Sequence, residues 1–146
     1  MSPSDGPVKT GTLPASDSSV AMARYRFLDL RITCWAMPGR HRSDVEAAVL
    51  ARLDPRQAAG GATGFFGRDR WAFGQALDAS ALIAAIQACP GVAGITRIEY
   101  RDKLGPAEWY TLPATVSAAP GEILRIDNDR DRPQCGLLFV TVEVAP

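Results

Sequence analysis

His41 is the only imidazole among the 146 residues, and it falls in a turn-like stretch between Gly39-Arg40 and the start of a helical pattern. A lone loop histidine is far more often solvated than catalytic. Without a second one, the imidazole-rich metal sites cannot be built, and no nucleophile elbow accompanies it for Ser-His-Asp chemistry. Cys34, Cys89 and Cys135 are odd in number, far apart and without CxxC spacing. They therefore suggest neither a zinc knuckle nor a redox dithiol. Cys34 and Cys89 sit in apolar runs, read as small core residues, and suit a reducing compartment.

Two further clusters invite chemistry. Gly60-Gly61-Ala62-Thr63-Gly64-Phe65-Phe66-Gly67-Arg68 has the glycines of a phosphate loop. It lacks the Gly-Lys-Ser/Thr ending and the strand-to-helix setting that such a loop needs, so it reads as a permissive surface loop. Asp127-Asn128-Asp129-Arg130-Asp131 begins like a calcium loop. Arg132 then stands where glycine is required and Leu138 where a bidentate glutamate is required. An Asx-type turn with local side chain–backbone hydrogen bonds explains the same residues. No catalytic residue, metal site or cofactor site is expected. Arg68-Asp69-Arg70 and Arg130-Asp131-Arg132 each flank an acid with two arginines. They read as solvated ion pairs of about 0–1 kcal/mol each, or as arginine forks available to a protein interface.

Whatever these side chains do, regular elements must position them. Residues 1–23 are rich in Ser, Pro, Gly, Asp and Thr and poor in large apolar side chains, so they read as a disordered tail. Residues 24–146 form the expected domain. Tyr25 to Trp35 alternates, with Leu28, Leu30, Ile32 and Cys34 on one face and Asp29, Arg31 and Thr33 on the other. That is the period of a half-buried strand. Ser43 and Glu46 have capping-box spacing at the start of a helix. Val45, Ala48, Val49 and Leu53 form its apolar stripe, and Asp54-Pro55 ends it. A second helix, capped by Asp78 or Ser80, buries Ala79, Leu82, Ile83 and Ile86 and stops at Pro90-Gly91. Val92 to Arg101, Glu122 to Ile126 and Leu137 to Val144 read as strands, the last two close enough to pair as a hairpin. Between them, 102–120 is irregular and carries an exposed-looking Trp109-Tyr110.

Two amphipathic helices must bury their stripes against one face of a sheet. The expected fold is a two-layer α+β sandwich of ferredoxin-like, split βαβ character, mainly antiparallel, with a C-terminal β-hairpin. Sixteen basic and sixteen acidic side chains balance to zero. That argues against a nucleic-acid groove or a polybasic membrane patch. No stretch approaches the ~20 apolar residues of a membrane span.

Two stretches carry more than fold class. The first is Trp71-Ala72-Phe73-Gly74, then Leu77, a helix over 81–88, and Cys89-Pro90-Gly91-Val92. The second is Gly121-Glu122-Ile123-Leu124-Arg125-Ile126-Asp127-Asn128-Asp129, followed by Arg132-Pro133 and Gly136-Leu137. In order and spacing, with the leading strand–helix unit from Tyr25 to Leu53, they resemble the C-terminal portion of the baseplate J-like family. These are putative baseplate assembly proteins of contractile phage tails and phage-tail-like injection systems. Ala72 and Arg130 stand where family members carry proline.

The resemblance implies a structural wedge protein without turnover. It would assemble with other wedge, spike, sheath or tube proteins in a symmetric hetero-oligomer, in the bacterial cytoplasm and then in the particle. Trp71 and Phe73 are expected to wedge under the second helix, Gly74 to permit the turn into it, and Pro90-Gly91 to end it. Phe65, Phe66, Arg68, Arg70, Trp109, Tyr110, Arg130 and Arg132 are the expected interface. A small ferredoxin-like ligand-binding or regulatory domain is the alternative, on fold analogy alone.

Overall fold

The computed structural model describes residues 24–56 and 64–144. The expected tail over 1–23 and the part of the glycine loop from 57 to 63 lie outside the described residues. In chain order the elements are β1 (Arg24–Ala36), α1 (Arg42–Leu53), β2 (Leu77–Asp78), α2 (Ala79–Gln87), β3 (Val92–Asp102), β4 (Tyr110–Thr111), β5 (Thr115–Val116), β6 (Glu122–Arg125) and β7 (Leu138–Val144). Short 3₁₀ turns occupy Arg68–Arg70 and Pro133–Cys135. The class is α+β, and three of the five strand pairings are antiparallel.

β1 is the spine. Leu28, Leu30, Ile32 and Cys34 alternate along it and are no more than 1% exposed. They meet Val45, Val49 and Leu53 of α1 and Leu82 and Ile86 of α2 in one core cluster. Each such side chain contributes about 1.5–3 kcal/mol on full burial, so these alternating stripes tie the helical layer to the sheet. The other face of β1 is not open to solvent as a half-buried strand would leave it, because Asp29 and Thr33 are buried too.

α1 begins at Arg42, with His41 as its N-cap and no side-chain cap bond. The Ser43–Glu46 capping box therefore does not form, since Ser43 already lies inside the first turn. α2 is capped as expected, the Asp78 carboxylate accepting the Ser80 N–H at 2.9 Å. It ends at Pro90-Gly91, where Gly91 has φ +87°.

On one side, β1 pairs antiparallel with β3 from Leu28↔Asp102 to Ala36↔Val92, and β4 pairs beyond β3. On its other side, β1 carries two strands end to end. β6 runs parallel to Arg24–Phe27, and β7 runs parallel to Leu30–Ala36. The expected C-terminal hairpin is thus absent: β6 and β7 never pair with each other. Nor does a strand separate β1 from its parallel partners, as a split βαβ order would require.

The reason lies in residues 127–136, which do not reverse the chain but return it to where it left. Asp127 N–H donates to the Cys135 carbonyl and Asn128 N–H to the Gly136 carbonyl, both at 2.9 Å. The loop is pinched shut at its base, and β7 resumes the line of β6. Gly136 makes this possible. Its φ is +91°, and a Cβ there would run into the Leu28 carbonyl oxygen and stand 3.2 Å from the Ile126 Cα.

Gly136→Ala is expected to lose about 3 kcal/mol of unfolding free energy, from a left-handed backbone and a backbone collision together. Urea unfolding measures it, and a loss under about 0.5 kcal/mol would show that β7 can back away from β1.

Candidate protein-interaction surface

The sheet face turned away from the helices holds an array of charged and aromatic side chains. β1 supplies Asp29, Arg31, Thr33 and Trp35. In register beside them stand Arg101, Glu99 and Arg97 of β3, and Phe139, Thr141 and Glu143 of β7. Cross-strand partners share a face, so the register alone assembles this array.

At its centre Asp29 is fully buried. Arg101 Nε lies 2.8 Å and Lys103 Nζ 3.1 Å from its Oδ2, while Leu137 N–H donates to its Oδ1 at 2.9 Å. Isolated burial of a carboxylate would cost several kcal/mol. Two cations and a backbone donor offset that cost here. Asp29 also sits where the ladder from β1 passes from β6 to β7, so its carboxylate takes an N–H at the break between the two strands.

Trp109 lies over this group. The guanidinium carbons of Arg31 and Arg101 stand 4.4 and 4.3 Å from its ring centroid, and Phe139 meets it edge-on at 5.9 Å. Arg31 also donates to Glu99 at 2.8 Å. That hydrogen bond, with the Arg31 and Arg97 charges, holds the Glu99 carboxyl below the usual range. Arg130 stacks on Phe139 at 5.2 Å and donates to the Leu138 carbonyl. Arginine–aromatic stacks of this kind contribute about 0.5–2 kcal/mol and fix the guanidinium planes. Away from Trp109 the face opens to solvent. Trp35 is 38% exposed, the Arg97 side chain 57%, and Thr141 and Glu143 are exposed.

A second array surrounds the Asp-Asn-Asp turn. Asn128 has φ +53° and is buried; asparagine is among the few residues that visit this region. Its Nδ2 donates to Asp54 at 3.1 Å and its Oδ1 accepts from Leu138 N–H at 3.0 Å, which joins the end of α1 to the start of β7. Asp127 accepts from Arg125 Nε at 2.6 Å and pairs with Arg68 at 3.4 Å. Asp129 accepts from Asp131 N–H at 3.0 Å, the Asx turn expected from the sequence. Asp127 and Asp129, two of the three acids of the calcium-like run from Asp127 to Asp131, are engaged with the protein itself.

The expected interface residues do not gather on one surface. Trp109 and Arg130 belong to the open sheet face. Tyr110 is exposed but stands beside Tyr100, whose strand partner Leu30 is in the core, and so lies on the other side of the sheet. Arg68 and Arg132 border Asp127 and Asp129 together with Arg56. Arg70 is exposed on the 3₁₀ turn.

Phe66 is corrected as an interface residue, and Phe65 is only partly exposed. Phe66 is 4% exposed and Phe65 packs on the core, because their N–H groups donate to Arg52 and Leu53 carbonyls at the end of α1. Trp71 stacks on Phe66 at 5.8 Å and donates its indole N–H to Phe65. It therefore packs on these phenylalanines. Phe73, 49% exposed, is not wedged under α2. Gly74 does turn the chain at φ +73°, and its N–H ties that turn to Glu122 of β6. Leu77 is in the core.

Asp29, Arg31, Arg101 and Lys103 were not singled out by the sequence. Alternation marks Asp29 and Arg31 only as the outer face of a strand, and nothing linear links them to a strand seventy residues on. The three cysteines are free and buried, and burial pushes the Cys34 and Cys89 thiols up. Among the described residues no three His, Cys, Asp or Glu side chains are grouped to hold a metal ion. No helix among them is long and apolar enough to cross a membrane. Comparison with protein-family models and with curated protein sequences finds no match.

Asp29→Asn keeps an acceptor for Leu137 but leaves Arg101 and Lys103 without their counter-charge. A loss of about 3 kcal/mol is expected in urea unfolding; a variant as stable as the parent would mean that the two cations re-pair at no cost.

Asp54 generates a pH prediction. Burial pushes its carboxyl up, but side-chain and backbone hydrogen bonds from Arg56 and one from Asn128 outweigh this and hold it below its ordinary 3.8. A folded value below the unfolded one contributes stability above 3.8 that is lost as pH falls through the folded value. Arg56→Ala is therefore expected to lower stability at neutral pH, and to lower it by less once the pH falls below 3.8. Equal losses at both pH values would show that the Arg56–Asp54 pair has no part in the acid limb.

Proposed function

We propose that this chain is a non-enzymatic structural component of a phage-tail-like contractile baseplate, acting by protein–protein assembly. The observation that carries the reading is the ordered pair of stretches, Trp71 to Val92 and Gly121 to Leu137, that resembles the baseplate J-like family. The positions they occupy in the fold support it. Gly74 and Gly91 take positive φ at turns, and Asn128 takes the left-handed turn that fastens β7 to α1. These residues specify a shape, which is what a scaffold protein needs from its motifs.

The contact surface that best suits this role is the open sheet face. Its outer part presents Trp35 and Arg97, the residue types that most often anchor interfaces. The Trp109 stack beside them fixes the arginine planes before a partner arrives, which lowers the entropy lost on binding. The partners are wedge, spike, sheath or tube proteins.

The test is affinity capture of the tagged chain from its native host, with mass spectrometry of what it retains. Wild type is expected to bring down baseplate and tail proteins, and a Trp35→Ala, Arg97→Glu double variant about tenfold less of them. Capture undiminished in the double variant would move the contact to another surface. Capture of no tail or baseplate protein by the wild type would remove the baseplate reading itself.

A further inference from the structure

We infer that the free edge of β7 is a self-complementary docking strand, which pairs antiparallel with the same strand of a second copy of this chain. The inference is independent of the baseplate reading. β7 is the last strand on its side of the sheet, seven residues long and paired only with β1. In a parallel ladder alternate residues turn their N–H and C=O toward the neighbour. Leu30 N–H bonds to the Leu137 carbonyl, so the odd positions of β7 face β1 and the even positions face outward. Leu138, the first outward position, is already occupied: Asn128 accepts its N–H and Arg130 donates to its carbonyl. Val140 and Val142 come next, and among the described residues nothing bonds their outward groups.

Among the described residues, this edge beyond Leu138 carries little of the usual protection. The strand Leu-Phe-Val-Thr-Val-Glu-Val has no proline, no lysine and one charge, where natural edges are blunted by such residues or by bulges. Beside it runs a groove of about 540 Å³, lined by His41, Arg42, Ser43 and Glu46 at the start of α1 and by Val140 to Val142. The groove leaves room for an added strand.

Charge and register select the occupant. A two-fold axis at Thr141 sets Val140 against Val142 of the second copy as the hydrogen-bonded pairs, which are the two free positions. The same axis sets Glu143 against Phe139 of the second copy, on whose ring Arg130 lies at 5.2 Å. Neither Glu143 nor Arg130 has an ion-pair partner among the described residues of its own chain. One pairing thus satisfies four outward backbone groups on each copy and brings two lone carboxylates to two lone guanidiniums.

The experiment uses the full chain. Sedimentation of the wild type is expected to give about twice the 15.6 kDa chain mass. Glu143→Arg is expected to weaken the dimer about tenfold through like charges, and Arg130→Glu with Glu143→Arg to restore it. Thr141→Cys places two thiols at a non-hydrogen-bonded pair, within disulfide reach, and is expected to cross-link on mild oxidation. Glu143→Cys, about 13 Å from its own copy, is not. A wild type that remains monomeric up to about 1 mM overturns the inference. So does a dimer in which Thr141→Cys fails to cross-link or the charge swap fails to rescue.

Discussion

Asp29 has no access to solvent, and Arg101, Lys103 and the Leu137 N–H converge on its carboxylate. A charge so placed is tolerable only when every partner is present. Its needs therefore fix the alignment of three strands at once. Arg101 and Lys103 set where the end of β3 meets β1, and Leu137 sets where β7 begins. The Trp109 stack follows, because Arg101 lies between Asp29 and the indole. Shift β3 by one residue and the cations turn to the helical face. The sheet register is thus specified by polar chemistry on one face and by Leu28, Leu30 and Ile32 on the other.

The Asp-Asn-Asp turn answers a second need. Thirteen residues of β1 extend farther than either short C-terminal strand can cover. The chain covers that edge in two pieces and uses Asp127 to Gly136 to close the excursion between them. Asn128 binds this closure to α1 through Asp54, so the loop, the helix end and the start of β7 form one unit. Residues that look like a metal loop in the sequence work here as backbone and side-chain fasteners.

Much of this was legible in the sequence. The periods of two and of roughly four residues placed β1, β3 and both helices, and the stripes Val45-Val49-Leu53 and Leu82-Ile86 are the ones buried. Pattern was silent wherever long-range partners decide. The strands after Gly121 looked like a hairpin because ten turn-prone residues join them, and no local signal says whether a loop reverses the chain or returns it. Phe65 and Phe66, in a glycine-rich run, looked like loop-tip aromatics. Their burial comes from hydrogen bonds to the end of α1, which only the folded chain supplies. The surface face was half visible: Trp109 and Arg130 stood out by type, while Asp29 and Arg101 stayed hidden in ordinary alternation.

The two-piece edge of β1 also settles how the domain would carry tension. β1 begins at Arg24 at one end of the sheet, and parallel β7 finishes at Val144 at the other, beside Ala36. A pull between these two points slides β7 along β1 and does not peel it away. Hydrogen bonds of the parallel ladder are then strained together, with the Asp29 cluster anchoring the end where β7 begins. Yielding requires the whole ladder to give at once, so the layout acts as a mechanical clamp along the axis of β1.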